Sequence, residues 1–167
     1  MRNLTYIFSV LILALLIISS QKAVTYPSVS NSAFTTGEKL RYRVTYGFMD
    51  AGEAIMEVKS TSKKGNNRAL HHVKGTGRTL GGFNAFYSVY DIYESYIDKK
   101  SMMPWYFIRN VNEGGYKINQ SYTFKQNLNR VYNGSKDFKV SIGIQDMISS
   151  FYKARTLNLD GIKKGKT

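Results

Sequence analysis

Alternation of apolar and polar residues decides the fold in the stretch Lys39-Leu40-Arg41-Tyr42-Arg43-Val44-Thr45-Tyr46. Every second residue is apolar, and the residues between are basic or hydroxylated. Successive side chains of a strand point to opposite faces of a sheet, so this period of two indicates a strand with one solvated face. The pattern returns at Ala54, Met56 and Val58. We predict that the two segments form a hairpin with a wide turn between Gly47 and Gly52.

Six further segments have the composition of strands and are separated by turn residues. We predict these strands at 69–78, 89–97, 105–111, 116–124, 130–132 and 138–142. A helical turn is expected from Phe83, and a longer helix is indicated by the apolar spacing of Met147, Ile148, Phe151 and Tyr152 after Asp146. Over residues 37–167 the sequence therefore predicts a mainly β fold. It is a curved, antiparallel, partly barrel-like sheet with one amphipathic C-terminal helix.

The first 23 residues have the organisation of a secretory signal peptide. Arg2 precedes an unbroken apolar run from Ile7 to Ile18, and small and polar residues follow it. This run is short for a transmembrane helix, and its flanking residues are those of a signal peptide. We therefore expect an exported protein, periplasmic or secreted, with residues 24–36 as an extended leader. An uncleaved anchor is the alternative, and only then is membrane association expected.

Composition limits the classes of function. The 167 residues include 24 Lys or Arg and 11 Asp or Glu, a formal net charge of +13, and no cysteine. Without cysteine the chain has no disulfides, thiol catalysis or thiolate metal sites. Bases mixed with 13 Tyr and 9 Phe suit nucleic acid, but an exported chain meets envelope polymers and lipid head groups first. We expect no nucleic-acid partner, and a basic surface that only keeps the protein soluble is the alternative.

Four stretches resemble a bacterial family of exported proteins, the domain of unknown function 3108. They are residues 37–54, which begin Gly37-Glu38-Lys39-Leu40, then Asp91-Ile92-Tyr93-Glu94-Ser95-Tyr96-Ile97-Asp98, then Arg109-Asn110-Val111-Asn112-Glu113-Gly114-Gly115-Tyr116, and last Phe151-Tyr152-Lys153-Ala154-Arg155. The resemblance extends from about Ala33 to the last residue. It implies a curved, mostly antiparallel sheet in the cell envelope and brings no catalytic residues. Family members usually continue into a further β-rich half, so it also implies a truncated member.

Aromatic residues at alternate strand positions are the candidate binding residues. On the concave face of a curved sheet they form an apolar groove with polar tips, which suits a lipid or a glycan. The alternative is that they form the core beneath the C-terminal helix. The bases Arg41, Arg43 and Lys117 are expected at the rim, where they attract an anionic head group. The candidate ligand-binding residues are Tyr42, Tyr46, Tyr93, Trp105, Phe107, Arg109, Tyr116 and Tyr122.

Arg109 shares strand parity with Trp105, Phe107 and Val111, so its side chain is expected on an apolar face. An unpaired buried charge is costly, and the guanidinium therefore needs a partner. Asp91 and Glu113 are the expected partners in an ion pair that fixes the strand register. An anion-binding arginine in a pocket is the alternative.

Residues for catalysis or metal binding form no recognisable pattern. Asp91 and Glu94 face opposite sides of a strand, while Glu94 and Asp98 lie about 13 Å apart on one face, where we expect solvated charges. His71 and His72 point apart and cannot chelate one ion. We expect no metal and no cofactor, and the sequence favours a non-catalytic binding protein. The alternatives are an interaction protein that pairs through an exposed sheet edge and an envelope hydrolase that uses the carboxylates.

Overall fold

The computed structural model describes residues 25–160. Within them, regular structure consists of nine strands, two short helices and a 3₁₀ turn at Gln126–Leu128. The strands are Lys39–Tyr46 (β1), Met49–Lys59 (β2), Lys64–Gly65 (β3), Arg68–Thr79 (β4), Tyr90–Asp98 (β5), Pro104–Glu113 (β6), Tyr116–Lys125 (β7), Arg130–Tyr132 (β8) and Asp137–Lys139 (β9). The helices are Gly81–Phe86 (α1) and Met147–Ala154 (α2). The predicted signal peptide, residues 1–23, lies outside the described residues.

The strands form one open antiparallel sheet in the order β1-β2-β4-β5-β6-β7-β8-β9, with β3 paired to β4. This confirms the predicted mainly β fold with one amphipathic helix after the strands. Apart from β3, consecutive strands lie side by side, and most of them are joined by short turns. The Asn66 and Asn67 pair, for example, has positive φ angles of 47° and 62°, which a two-residue hairpin turn requires.

Helix α2 packs on one face of the sheet, which we call the inner face; the opposite face is the outer face. Cross-strand pairing arranges inner-face residues in rows, one residue from each strand. The row under α2 is Val58, Val73, Ser95, Phe107 and Tyr122. The next row is Met56, Gly75, Tyr93, Arg109 and Gln120. Val58, Val73 and Phe107 of the first row belong to the hydrophobic core together with Ile148 of α2, and Tyr122 packs against it.

The predicted leader contributes to this core although its described part contains no helix or strand. Phe34 is only 7% exposed, and its ring packs edge-on against Tyr152 of α2 with 4.7 Å between ring centroids. Arg155 follows α2 and donates two hydrogen bonds to the carboxylate of Glu38, at 2.6 and 2.8 Å. The segment before β1 and helix α2 therefore hold each other against the sheet.

The outer face carries charges whose sign alternates from strand to strand, in two lines that we call the charge rows. One charge row is Lys39, Glu57, Lys74 and Glu94, and the other is Arg43, Glu53 and Arg78. The carboxylate of Glu53 is buried between the guanidinium groups of Arg41 and Arg78. Hydrogen bonds from these two arginines hold the pKa of Glu53 below its usual range. On this face β1 and β4 are therefore basic and β2 is acidic.

The turn between β1 and β2 is tighter than predicted. It contains only Gly47 and Phe48, because Tyr46 already pairs with Met49, so the predicted wide turn is wrong. The pairing shifts after Val44 and leaves an extra residue in β2, which is a β-bulge. The extra residue, Ala51, lies in this bulge, whereas alternation alone predicts that it belongs to a longer turn.

Asp98 is not the solvated charge that we predicted. Its carboxylate is buried and accepts hydrogen bonds from Arg68. It also accepts hydrogen bonds from the backbone N–H groups of Lys100 and Ser101, both at 2.8 Å. These bonds close the turn between β5 and β6. Burial alone would raise the pKa of Asp98, but the hydrogen bonds from Arg68 and from the two backbone N–H groups outweigh burial and lower the pKa. Strand parity shows which face the Asp98 side chain lies on, but it does not show which groups surround the carboxylate.

Candidate functional site

A cavity of about 420 Å³ lies between the inner face and α2. The strands contribute Tyr42, Met56 and Tyr93 to its walls, and the helix contributes Met147 and Phe151. Because α2 is only eight residues long, it covers part of the inner face and leaves the cavity beside its N-terminal half. The volume and the apolar lining are those of a small-molecule site. Two cavities beside α1 are slightly larger, at about 450 and 500 Å³, and we use the name main cavity for the space beneath α2.

Two glycines of β4 form the floor of the main cavity. At Gly77 a Cβ atom would meet nothing within 4 Å, and at Gly75 it would come within 2.9 Å of the Sδ atom of Met56. Both positions face α2, where other strands present side chains. Glycine inside a strand weakens the strand and often marks a place of close approach by another group. The main cavity exists because β4 carries no side chain at these two positions.

Asp146 fixes the start of α2 above the sheet. One carboxylate oxygen accepts hydrogen bonds from the backbone N–H groups of Ile148 and Ser149, both at 2.8 Å. The other oxygen accepts a hydrogen bond from the hydroxyl of Ser95 in β5 at 2.7 Å. The hydroxyl of Ser149 in turn accepts from the N–H of Asp146, which completes a capping box. Burial raises the pKa of Asp146, and the link to β5 sets the position of Met147 over the main cavity.

Polar groups gather on the β5 and β6 side of the main cavity. Asp91 is buried and accepts a hydrogen bond from the backbone N–H of Asn112 at 2.9 Å. The neighbouring carboxyl of Asp91, through a hydrogen bond and its charge, raises the pKa of Glu113, and we call these two residues the carboxyl pair. Burial, followed by the charges of these two carboxyls, raises the pKa of Tyr93, while Arg109 acts in the opposite direction. We call these four side chains the polar end: Asp91, Tyr93, Arg109 and Glu113.

Comparison with protein families now identifies the chain. The model of the family described as Protein of unknown function (DUF3108) matches residues 41–167. The chain belongs to the DUF3108 family. The match confirms the resemblance seen in the sequence, and it includes every residue that lines the main cavity. No curated protein and no solved structure gives a significant match.

Several candidate binding residues of this DUF3108 member lie around two neighbouring cavities. The second cavity has a volume of about 300 Å³ and shares Met147 with the main cavity. Aromatic contacts join the two, because the ring of Phe107 lies 6.4 Å from that of Tyr93 and 6.2 Å from that of Tyr122. The main cavity receives Tyr42 and Tyr93, and the second receives Phe107, Arg109 and Tyr122.

The other three candidates lie elsewhere. Tyr46 and Tyr116 are exposed at strand ends. Trp105 is buried, but its ring packs against Gly65 of β3 and edge-on against Tyr26. The reason is a β-bulge in β6 at Trp105, where the register with β5 shifts and the alternation of side chains breaks.

Arg109 pairs with neither Asp91 nor Glu113, contrary to expectation. Its Nε atom donates a hydrogen bond to the side-chain oxygen of Gln120 at 2.8 Å, and the hydroxyl of Tyr122 donates to the same oxygen at 3.2 Å. The register explains this, because Arg109 lies directly opposite Gln120 in β7. Asp91 instead accepts a hydrogen bond from the backbone of β6, and its carboxyl is the group that raises the pKa of Glu113.

The predicted basic rim lies on the face away from the main cavity. Arg41 and Arg43 alternate with Tyr42, and since Tyr42 lines the main cavity these two bases belong to the outer face. Arg41 donates a hydrogen bond to Glu53 there at 2.6 Å. Lys117 is exposed at an outer-face position of β7. Arg109, which lines the second cavity, is therefore closer to the cavities than the three predicted rim bases are.

Sequence reasoning missed the glycine floor and the carboxyl pair. The glycine signal was present, because Gly75 and Gly77 alternate within a predicted strand and such glycines often mark ligand approach. The pairing of Asp91 with Glu113 depends on the register of β5 against β6, which no local pattern specifies. Met147 was predicted as part of an apolar helix stripe, without its position over a cavity.

Residues 25–160 contain no cluster of three or more potential metal ligands and no helix long and apolar enough to cross a bilayer. The two histidines point to opposite faces, as predicted from adjacent strand positions. The ring of His71 packs against Phe34, with centroids 5.2 Å apart. The ring of His72 stacks on Tyr96 on the outer face and contacts Glu94.

Proposed function

We propose that this protein is exported to the cell envelope and binds there the apolar chain of an amphipathic molecule in the main cavity. The observation that carries the proposal is the cavity itself, in which two adjacent inner-face positions of β4 are glycine and the walls are apolar. Core packing tends to fill such space with side chains. Export is supported by the signal-peptide organisation of the first 23 residues.

The lining favours a lipid over a glycan. Sugars need many hydrogen-bond partners, whereas Asp91 is the one charged residue among the described residues that line the main cavity, and its walls are otherwise mostly apolar, with Met56, Met147 and Phe151 among them. Methionine is unbranched and adapts to irregular apolar ligands. The acyl chain of a lipid therefore fits this lining better than a sugar ring does.

The polar end gives the ligand its orientation. Tyr93 belongs to both parts of the site, since it lines the main cavity and the charges of Asp91, Glu113 and Arg109 act on the pKa of its hydroxyl. A head group placed there meets hydrogen-bond donors from Arg109 and Tyr93 and acceptors from the carboxyl pair. The ligand class is accordingly a single-chain amphiphile with a polar head.

A fluorescent fatty acid titrated into the purified full-length protein tests the proposal, together with mass spectrometry of a solvent extract of the protein. Gly77→Leu fills the floor without backbone strain, because a Cβ there meets open space. We expect affinity to fall by about 5- to 150-fold, since overfilling a packed site costs about 1–3 kcal/mol. Gly82→Leu is the matched control: its Cβ also meets nothing within 4 Å, and Gly82 does not line the main cavity.

The control variant should bind the probe as the unmodified protein does. Equal affinity of the Gly77→Leu variant and the unmodified protein would overturn the proposal. So would the absence of both probe binding and a co-purifying lipid.

The carboxyl pair favours a second candidate, an envelope hydrolase. Glu113 has a raised pKa and sits beside Asp91, and two neighbouring carboxyls can serve as acid and base in hydrolysis. Glu113→Gln separates the two functions. It should abolish any turnover of an envelope extract, whereas the fatty acid should still bind through its chain, because Glu113 does not line the main cavity. Unchanged turnover in this variant would exclude Glu113 from catalysis.

A further inference from the structure

The edge strand β1 has features of a second binding surface, and these features do not depend on the main cavity. β1 is eight residues long and lies at one edge of the sheet, whereas β9 at the other edge has three residues. The backbone N–H of Val58 donates to the carbonyl of Glu38 at 2.9 Å. Hydrogen bonding alternates along an antiparallel strand, so the backbone groups of Lys39, Arg41 and Arg43 point away from β2.

The same three residues carry their side chains on the outer face. The side chains of Lys39, Arg41 and Arg43 are 60%, 67% and 71% exposed. Lys39 contacts Glu57 at 3.2 Å, and Arg43 reaches Asp50 only at 3.6 Å. Arg41 shares the Glu53 carboxylate with Arg78. The basic side of β1 therefore retains donors for further acids.

The charge rows indicate the chemistry of a strand added at this edge. Each row runs base, acid, base inward from β1, through β2 to β4, and one continues to an acid in β5. Opposite charges directly across neighbouring strands stabilise a sheet, and like charges destabilise it. The next strand outward from β1 therefore fits best when acidic residues lie opposite Lys39, Arg41 and Arg43.

We propose that β1 is the docking edge for an extended segment of another protein that has acidic residues at alternate positions and apolar residues between them. The acids face the three bases, and the intervening residues lie beside Leu40, Tyr42 and Val44 on the inner face. A second copy of this chain does not fit, because pairing β1 with β1 places bases against bases. Bases on an edge strand are a known protection against such self-pairing.

The test uses the full-length protein and a synthetic peptide in which Glu and Val alternate. The control peptide has Lys at every Glu position. We expect fluorescence anisotropy to show binding of the acidic peptide only, weaker at high salt because exposed charges are screened. Amide hydrogen exchange should slow at Lys39, Arg41 and Arg43. Binding of both peptides with equal affinity, or protection at other strands alone, would overturn the proposal.

Two variants separate strand pairing from general attraction to a basic protein. Lys39→Gln combined with Arg43→Gln removes two edge charges and should weaken binding about fivefold. Lys136→Gln combined with Lys139→Gln removes two charges near β9, at the opposite edge, and should leave the affinity unchanged. Equal weakening by the two double variants would refute a specific role of β1. Neither pair of substitutions touches the main cavity, so fatty-acid binding reports on that site separately.

Discussion

Replacement of Phe34 by alanine tests whether the segment before β1 is part of the folded core. An aromatic side chain buries about 150–250 Å², and Phe34 is 93% buried, since 7% of it is exposed. The lower figure at about 25 cal/mol per Å² corresponds to about 4 kcal/mol. Measured Phe→Ala losses in cores span about 3–5 kcal/mol. We therefore expect Phe34→Ala to lower the free energy of unfolding by about 4 kcal/mol.

The assay is urea denaturation followed by circular dichroism, with the midpoint compared at constant slope. Phe48→Ala is the matched control, because Phe48 is 97% exposed at the β1 to β2 turn and its loss should change stability by less than about 0.5 kcal/mol. A loss of less than about 1 kcal/mol for Phe34→Ala would refute the reasoning. It would mean that the contacts of Phe34 with Tyr152 and His71 do not contribute to folding.

Two further substitutions test how α2 is held over the sheet. Glu38→Gln should lower the free energy of unfolding by about 1 kcal/mol at neutral pH. Hydrogen bonds from Arg155 lower the pKa of Glu38 from 4.5. The stability that Glu38 contributes is therefore present above pH 4.5 and is lost as the pH falls below that value. Denaturation from pH 7 to pH 3 should therefore show the two proteins converging, and a difference independent of pH would contradict the ion-pair explanation. Asp146→Ala should lower the free energy of unfolding by about 2 kcal/mol, because two N–H groups of α2 and the Ser95 hydroxyl lose their acceptor. Asp146→Asn keeps an acceptor oxygen, so it should lower the free energy of unfolding less than Asp146→Ala does in the same experiment. Equal losses of stability in the two variants would contradict the capping role.

The strands could be predicted because their neighbours in the sheet are their neighbours in sequence. Alternation places Tyr42, Met56 and Val73 on one face whatever the turn geometry is, and short turns bring each strand beside the next. The helix could be predicted because its apolar spacing and the capping residue Asp146 are local signals. These features account for the agreement on the mainly β fold.

The failures share one physical cause, which is that β-bulges and cross-strand contacts are not local. Trp105 has the parity of Phe107, but one extra residue in β6 turns its ring toward Gly65. Arg109 was assigned a charged partner because burial of a charge is costly, whereas the register supplied the amide oxygen of Gln120. The main cavity could not be predicted because it depends on where an eight-residue helix stops over the sheet.

The charge rows also bear on how the chain finds the correct strand alignment during folding. A slip of β2 against β4 by two residues would keep every side chain on its proper face, so the apolar pattern alone tolerates that error. The same slip would move Glu57 away from Lys74 and Glu53 away from Arg78, and would separate both pairs at once. The hydrophobic pattern permits several strand alignments, and the charge pairs on the solvent-facing side of this sheet select one of them.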